Sequence, residues 1–392
     1  MRRRRSPKNT PHSDPAPDYY KWSSAEISLA DLKYTVATRA ALGDFAAEKA
    51  LSEIGVRVLG AIRGRVLHYG CGRGLLAAAL HSASDDLQLT LGDDNVAAAE
   101  AAKLSAHQNG FTAEATCIEL PPADSFDTVV LTMPRGRERV SQLLSAAVRS
   151  ITKNGSLAVL GFNDEGIRSV IRMCSKYFGE PLSEVAMRHA RGAIFSVGDS
   201  AVEIPAQRES VFEATIQGHE YSIATMPGVF AAGRLDEGTA NLLDLIEVSP
   251  HSHCLDLGSG NGIIGAAMAR KAAAGRAVLV DSSATAVRCS KRTLELNNIG
   301  NADVLLSDVG ERLGENDFDL IASNPPFHRS HDVDYAVATE IIRCARRVAR
   351  PNARFFLVAN RFLPYERWMD QHWPGFRILS EGASYKVFCG VV

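Results

Sequence analysis

The sequence holds seven cysteines (Cys71, Cys117, Cys174, Cys254, Cys289, Cys344 and Cys389) but no C-x-x-C pair and no paired histidine spacing. That absence argues against a metal site and against a disulfide framework, and leaves the thiols as small core residues. No apolar run approaches the ~18–20 residues needed to cross a bilayer. The N-terminus is basic, yet residues 6–20 are polar and proline-rich rather than apolar, so no secretory signal is expected. The chain reads as cytoplasmic, with no membrane partner. A dominant charge is missing too: 43 Lys and Arg stand against 45 Asp and Glu, a formal −2. Residues 1–18 carry five basic and two acidic side chains, so the rest of the chain is at −5. Any nucleic-acid contact must therefore come from a local patch.

What is present suits a soluble globular protein. Hydrophobic residues make up 46% and charged residues 22% of 392 positions, enough for two cores. The opening "MRRRRSPKNTPHSDPAP" has almost nothing to bury and reads as a disordered tail. Arg2–Arg5 in it suit either a phosphate contact or plain solvation.

The chain repeats itself. "RVLHYGCGRGLLAAAL" at 65–80 matches "HCLDLGSGNGIIGAAM" at 253–268, with Gly70, Gly72 and Gly74 lying 188 positions before Gly258, Gly260 and Gly262. The same offset pairs Asp93 with Asp281 and Asn109 with Asn297, and "FDTVVLTMPR" at 126–135 pairs with "FDLIASNPPF" at 318–327. Each copy alternates short apolar runs with alanine-rich helical stretches. That pattern predicts two tandem α/β domains, each a mostly parallel sheet covered on both faces. Between them, residues 210–230 alternate around a Gly-His turn and predict a hairpin leading into the second domain, with the boundary near residue 205.

In the second copy "LDLGSGNGIIG" follows a strand and opens a helix. Gly258, Gly260 and Gly262 allow a tight turn and close approach of backbone to a ligand. Asp281 ends the next strand, 19 residues after Gly262, where an acid accepts hydrogen bonds from ribose hydroxyls. Asp256 would place a carboxylate under the loop, which suits the cationic amine of S-adenosylmethionine better than the pyrophosphate of a dinucleotide. Asp308, after the third strand, is placed either to accept from the adenine amine or to cap a turn.

"NPPF", Asn324, Pro325, Pro326 and Phe327, ends the fourth strand beside the expected strand-order switch. An aromatic or amide amine is a poor nucleophile because its lone pair is delocalised. The Asn324 side-chain oxygen and the Pro325 carbonyl can accept both of its hydrogens, the prolines keep those acceptors rigid, and Phe327 offers a stacking face. His328 either touches substrate or caps the loop. Asp236 and Thr239, upstream, read as the start of a capped helix.

Together, "MPGVF", "LDEGTANLL", "LDLGSGNGIIG", "VDSSATAV", "SNPPFH" and "VANRFLPY" resemble the bacterial ribosomal RNA guanine-N2 methyltransferases of the RsmC and RlmG type. The resemblance implies two Rossmann-like class I methyltransferase domains of seven strands each, the first degenerate. It further implies S-adenosylmethionine as cofactor, ribosomal RNA or a ribosomal subunit as partner, and catalysis by the second domain. On this basis residues 1–18 are a tail, 19–204 a degenerate domain for RNA binding or structural support, and 205–392 the catalytic domain, acting as a monomer. The first copy has His68, Arg73 and "TMPR" where the second has Asp256, Asn261 and "NPPF". Arg73, Arg135, Arg137 and Arg139 are candidates there for a basic patch, or for a solvated loop. Small-subunit (16S) guanine N2 is the expected target. The alternatives are large-subunit guanine N2, adenine N6 or a protein glutamine, and, in another class, a non-catalytic ribosome-assembly or RNA-binding protein.

Overall fold

The computed structural model describes residues 19–84, 86–187, 189–198, 203–206, 209–231, 233–325 and 332–392. The tail at 1–18 and the positions of Pro326, Phe327 and His328 lie outside these.

The first half runs β1 (Ser23–Leu29), β2 (Leu32–Thr38), α1 (Ala46–Leu59), β3 (Gly64–Tyr69), α2 (Leu75–Ala83), β4 (Leu87–Asp93), α3 (Val96–Gln108), β5 (Glu114–Cys117), β6 (Phe126–Thr132), α4 (Arg137–Ser150), β7 (Ile151–Phe162), α5 (Ile167–Phe178), β8 (Ser183–Met187) and β9 (Ala190–Ser196). The second repeats this plan with β10 (Ser210–Ile216), β11 (His219–Thr225), α6 (Glu237–Leu245), β12 (His253–Leu257), α7 (Ile263–Lys271), β13 (Arg276–Asp281), α8 (Ala284–Leu296), β14 (Ala302–Leu306), β15 (Phe318–Ser323), α9 (Asp332–Val348), β16 (Ala349–Asn360), α10 (Tyr365–His372), β17 (Arg377–Glu381) and β18 (Tyr385–Val391).

Each half builds one seven-stranded sheet, ordered β5-β4-β3-β6-β7-β9-β8 and β14-β13-β12-β15-β16-β18-β17. Only β9 and β18 run against their neighbours. The inner strands are apolar on both faces, as a sheet covered by helices on both sides requires; β12, for example, buries Cys254, Leu255, Asp256 and Leu257. Separate apolar cores fill the two faces of each sheet.

A hairpin precedes the sheet in both halves, not only in the second. Asn109 in the turn after α3 accepts from Thr35 N and donates to Thr35 O, and Asn297 does the same to Ser222. The repeated asparagines are therefore clasps that tie each hairpin to its sheet.

The two halves meet through the loops after β4 and β13. Val96 N donates to Ser282 O at 2.9 Å, Ala284 N donates to Asp94 O at 2.8 Å, and Asn95 and Ser283 form an antiparallel bridge. Tyr19, 3% exposed, packs into the core of the second half.

Candidate active site

In the second sheet the strand order reverses between β12 and β15, and a cavity of about 510 Å3 opens at the carboxyl edge there. Its wall includes Gly258, Gly260, Asp281, Asp308, Asn324 and Pro325. Leu257 pairs with Ser323 across the two strands, and the Ser323 hydroxyl donates to Leu257 O at 2.6 Å. The register sets the glycine loop directly beside Asn324.

The loop is left-handed at Gly258 (φ 79°), Gly260 (φ 56°) and Gly262 (φ 80°). A Cβ on either of the first two would meet nothing within 4 Å, so their backbone faces open space. On Gly262 it would lie 2.8 Å from Ser290 Cα, so the third glycine serves the close approach of α7 to α8.

Asp281 braces this loop. One oxygen accepts from Gly260 N and the other from Ser283 N, both at 2.9 Å, and burial raises its pKa against the pull of these two N–H groups. A carboxylate has about four acceptor sites, so lone pairs remain for a ligand in the cavity. Asp256 lies beneath the loop, fully buried. Its Oδ2 accepts from Gly265 N at 2.8 Å while Oδ1 has no partner, and burial pushes its pKa up to about 7.

Asp308 is held from the other half of the molecule. The Tyr19 hydroxyl donates to Oδ1 at 2.9 Å, and the guanidinium of Arg39, its side chain fully enclosed, lies 3.1 Å from Oδ2. Burial raises the Asp308 pKa, and the Arg39 charge opposes that rise.

Asn324 is oriented by a chain of hydrogen bonds. Its Nδ2 donates to Thr239 Oγ1 at 2.8 Å and to Asp236 Oδ2 at 3.3 Å; Thr239 Oγ1 in turn reaches Asp236 Oδ2 at 3.4 Å. A carboxylate only accepts, so the amide nitrogen must face Asp236. The Asn324 Oδ1 is left buried without a partner, a costly acceptor to leave unmet. Asp236 also caps α6, accepting from Thr239 N at 3.0 Å, and takes a hydrogen bond from the Tyr385 hydroxyl. The capping role was legible in the sequence; the grip on Asn324, which crosses 85 residues, was not. Phe230, 53% exposed, adds an aromatic face to the same cavity.

The equivalent place in the first half is filled by the protein itself. Asp93 still clasps Gly72 N at 3.0 Å. Glu48 from α1, however, accepts from Arg73 N at 3.0 Å and Leu75 N at 3.2 Å, occupying the N-terminus of α2. The Arg73 guanidinium pairs with Glu48 at 3.0 Å and donates to the carbonyls of Leu42, Gly43 and Asp44. Only about 210 Å3 of cavity remains there. His68, its pKa lowered by burial to about 4, stands where Asp256 does, and its Nε2 contacts Thr132 Oγ1 at 3.2 Å.

This arrangement corrects the expected basic patch. Arg73 is 4% exposed and satisfied internally, and Arg139 is 6% exposed, bonded to Gln142, the Tyr69 hydroxyl and Glu119 O. A guanidinium carries five donors and is expensive to bury unpaired, so both are enclosed by acceptors rather than offered to a partner. Arg135 and Arg137 are exposed. Among the described residues no cluster of three or more His, Cys, Asp or Glu is placed to hold a metal, and no helix is long and apolar enough to span a membrane.

Comparison with known proteins bears on the fold and the family. The Methyltransferase small domain family matches residues 220–389, and its N-terminal domain family matches 52–190. A ribosomal RNA small subunit methyltransferase C from Hahella chejuensis is 32% identical over 279 residues, covering 70% of this chain and 80% of the relative. The corresponding protein of Shewanella sediminis is 33% identical over 272 residues, 69% of this chain and 78% of the relative. Among solved structures, a T. thermophilus 16S rRNA N2 methyltransferase (RsmC) in complex with AdoMet and guanosine superposes with a TM-score of 0.78 at 26% identity, over 94% of this chain and 98% of that one. The tandem seven-stranded sheets, the open glycine loop and these relatives lead to one conclusion: the chain belongs to the ribosomal RNA small subunit methyltransferase C family, enzymes with two class I methyltransferase-fold domains in tandem.

Proposed function

We propose that the second half methylates the exocyclic N2 amine of a guanine in small-subunit (16S) ribosomal RNA, with S-adenosylmethionine as donor and the RNA or its subunit as partner. The observation that carries this reading is the Asn324 amide, a cavity-lining side chain whose nitrogen is held by Thr239 and Asp236 and whose oxygen is left buried without a partner.

The residues present fit the cofactor. Open backbone at Gly258 and Gly260 and spare acceptor capacity on Asp281 suit a nucleoside with its ribose hydroxyls. Asp256 Oδ1, unpartnered beneath the loop, is the acceptor a cationic amine needs. Asp308 borders the cavity where an adenine amine would donate. When bound, the cofactor supplies an electrophilic sulfonium methyl group.

The protein's contribution is positioning. Asn324 Oδ1 and the Pro325 carbonyl accept the two hydrogens of the amine, which aims its lone pair and offsets the delocalisation that makes it a poor nucleophile. Pro326 and Phe327 complete this clamp, as a stiffener and a stacking face. The amine loses its extra proton to water afterwards, so no strong general base is needed. The first half serves as support rather than as a second catalyst, since its loop is filled by Glu48 and Arg73. The rival targets, guanine N2 in large-subunit RNA, adenine N6 and glutamine, use the same kind of planar amine.

The test is to incubate the protein with tritiated S-adenosylmethionine and unmodified small- or large-subunit RNA, then identify the labelled nucleoside by mass spectrometry. Label in N2-methylguanosine from small-subunit RNA is the expected result. Label in N6-methyladenosine, or in large-subunit RNA alone, overturns the assignment.

A further inference from the structure

We infer that Asp94, in the first half, is a positioning residue for the cofactor loop of the second. Its carboxylate crosses between the halves: Oδ2 accepts from the Ser283 hydroxyl at 2.6 Å, and Oδ1 accepts from Thr285 N at 2.9 Å and the Thr285 hydroxyl at 2.6 Å. Ser283 is the N-cap of α8 and its own backbone N–H donates to Asp281 Oδ1. Asp281 in turn holds Gly260 N. A continuous chain of hydrogen bonds thus runs from Asp94 through Ser283 and Asp281 to the glycine loop.

Two features give this chain a direction. At the matching place in the second half stands Ser282, which meets the first half through its backbone carbonyl, the acceptor for Val96 N. The carboxylate therefore belongs to the first half and its partners to the second. Moreover Asn95, next to Asp94, itself lines the second half's cavity together with Ser282 and Ser283. Short bonds between a charged acceptor and hydroxyl donors are among the stronger ones, and two of them with a backbone N–H on one carboxylate leave it little freedom. Asp94 thereby sets the rotamer of Ser283 and the position of Asp281 without itself lining the cavity.

This inference rests on the reading of the cavity as a cofactor site, and the experiment separates the two. Cofactor affinity is measured by calorimetry on the full chain without RNA, alongside melting temperature and kcat at saturating cofactor. Asp94→Ala is expected to raise the cofactor Kd about tenfold, within the usual range for coupled sites, with kcat changed less than twofold. Thr285→Val should give part of that loss, and the double variant less than the product of the two. Glu119→Gln loosens the Arg288–Glu119 contact across the same interface away from the loop; it should lower the melting temperature without changing Kd. Wild-type protein that binds no cofactor overturns the cofactor site itself. Wild-type binding with an unchanged Kd in Asp94→Ala, or an equal Kd loss in Glu119→Gln, overturns the positioning role alone.

Discussion

The two halves of this molecule share a scaffold and differ in what occupies it. Both keep the glycine turn, the acid that clasps it (Asp93 and Asp281) and the asparagine that ties down the hairpin. Features that survive in both copies are thus the ones the fold needs, and Asp281 is a structural brace before it is anything else. At the cavity the differences are Asp256 against His68, Asn324 against Thr132, and an open loop against one filled by Glu48 and Arg73. Function in such a duplication is read from what the copies do not share.

The comparison is broken most severely at Asn324. Asn324→Ala should lower kcat by about 10²–10³, the scale of one preorganised hydrogen-bonding group, while the cofactor Kd stays within a few fold; steady-state kinetics and calorimetry check both. Next comes Glu48→Ala in the first half, which strands the Arg73 guanidinium. We expect a loss of about 2–3 kcal/mol in chemical denaturation, below the ~3–5 kcal/mol of a fully buried pair because the Glu48 side chain keeps 16% exposure. Thr239→Val should free the Asn324 amide and lower kcat about tenfold at constant Kd, as a single orienting contact does.

Acid should act on the halves with opposite sign. Asp256 titrates near 7 when folded, above its ordinary value, so its contribution is full at low pH and is lost as pH rises through about 7. His68, lowered to about 4, contributes above its ordinary value of 6.5, and that contribution is lost as pH falls through about 4. In unfolding titrations from pH 4 to 8, Asp256→Asn should remove the loss on the alkaline side, and His68→Gln the loss on the acid side. The smallest effect sharpens the comparison: Thr132→Val should leave kcat and cofactor Kd within twofold, and a larger kinetic change there would give the first half a share in catalysis.

Much of this was legible in the sequence because it is local or periodic. The strands β12, β13, β15 and β16 each carry a short apolar run, and the glycine loops and the acids after them recur at a constant offset. The first hairpin is poorly marked in the sequence although "YTVAT" at 34–38 echoes "YSIAT" at 221–225, because its offset, 187, differs by one from that of the sheet. β8, β9 and β17 are short edge or antiparallel elements without a strong pattern. The grips on Asn324, Asp308 and Ser283 were illegible for a different reason. They join single polar residues 85, 289 and 189 positions apart, and nothing periodic marks such a pair. Burial of Arg73 and Arg139 likewise depends on acceptors supplied by distant loops, so charge alone suggested a surface they do not form.

The most direct test of the division between the halves is the stoichiometry of cofactor binding. Calorimetric titration of the full chain with S-adenosylmethionine should give one site per chain, abolished or strongly weakened by Asp281→Ala and retained in Glu48→Ala. Two sites per chain, or one site that survives Asp281→Ala and disappears with Glu48→Ala, would contradict the assignment of the open loop as the working one.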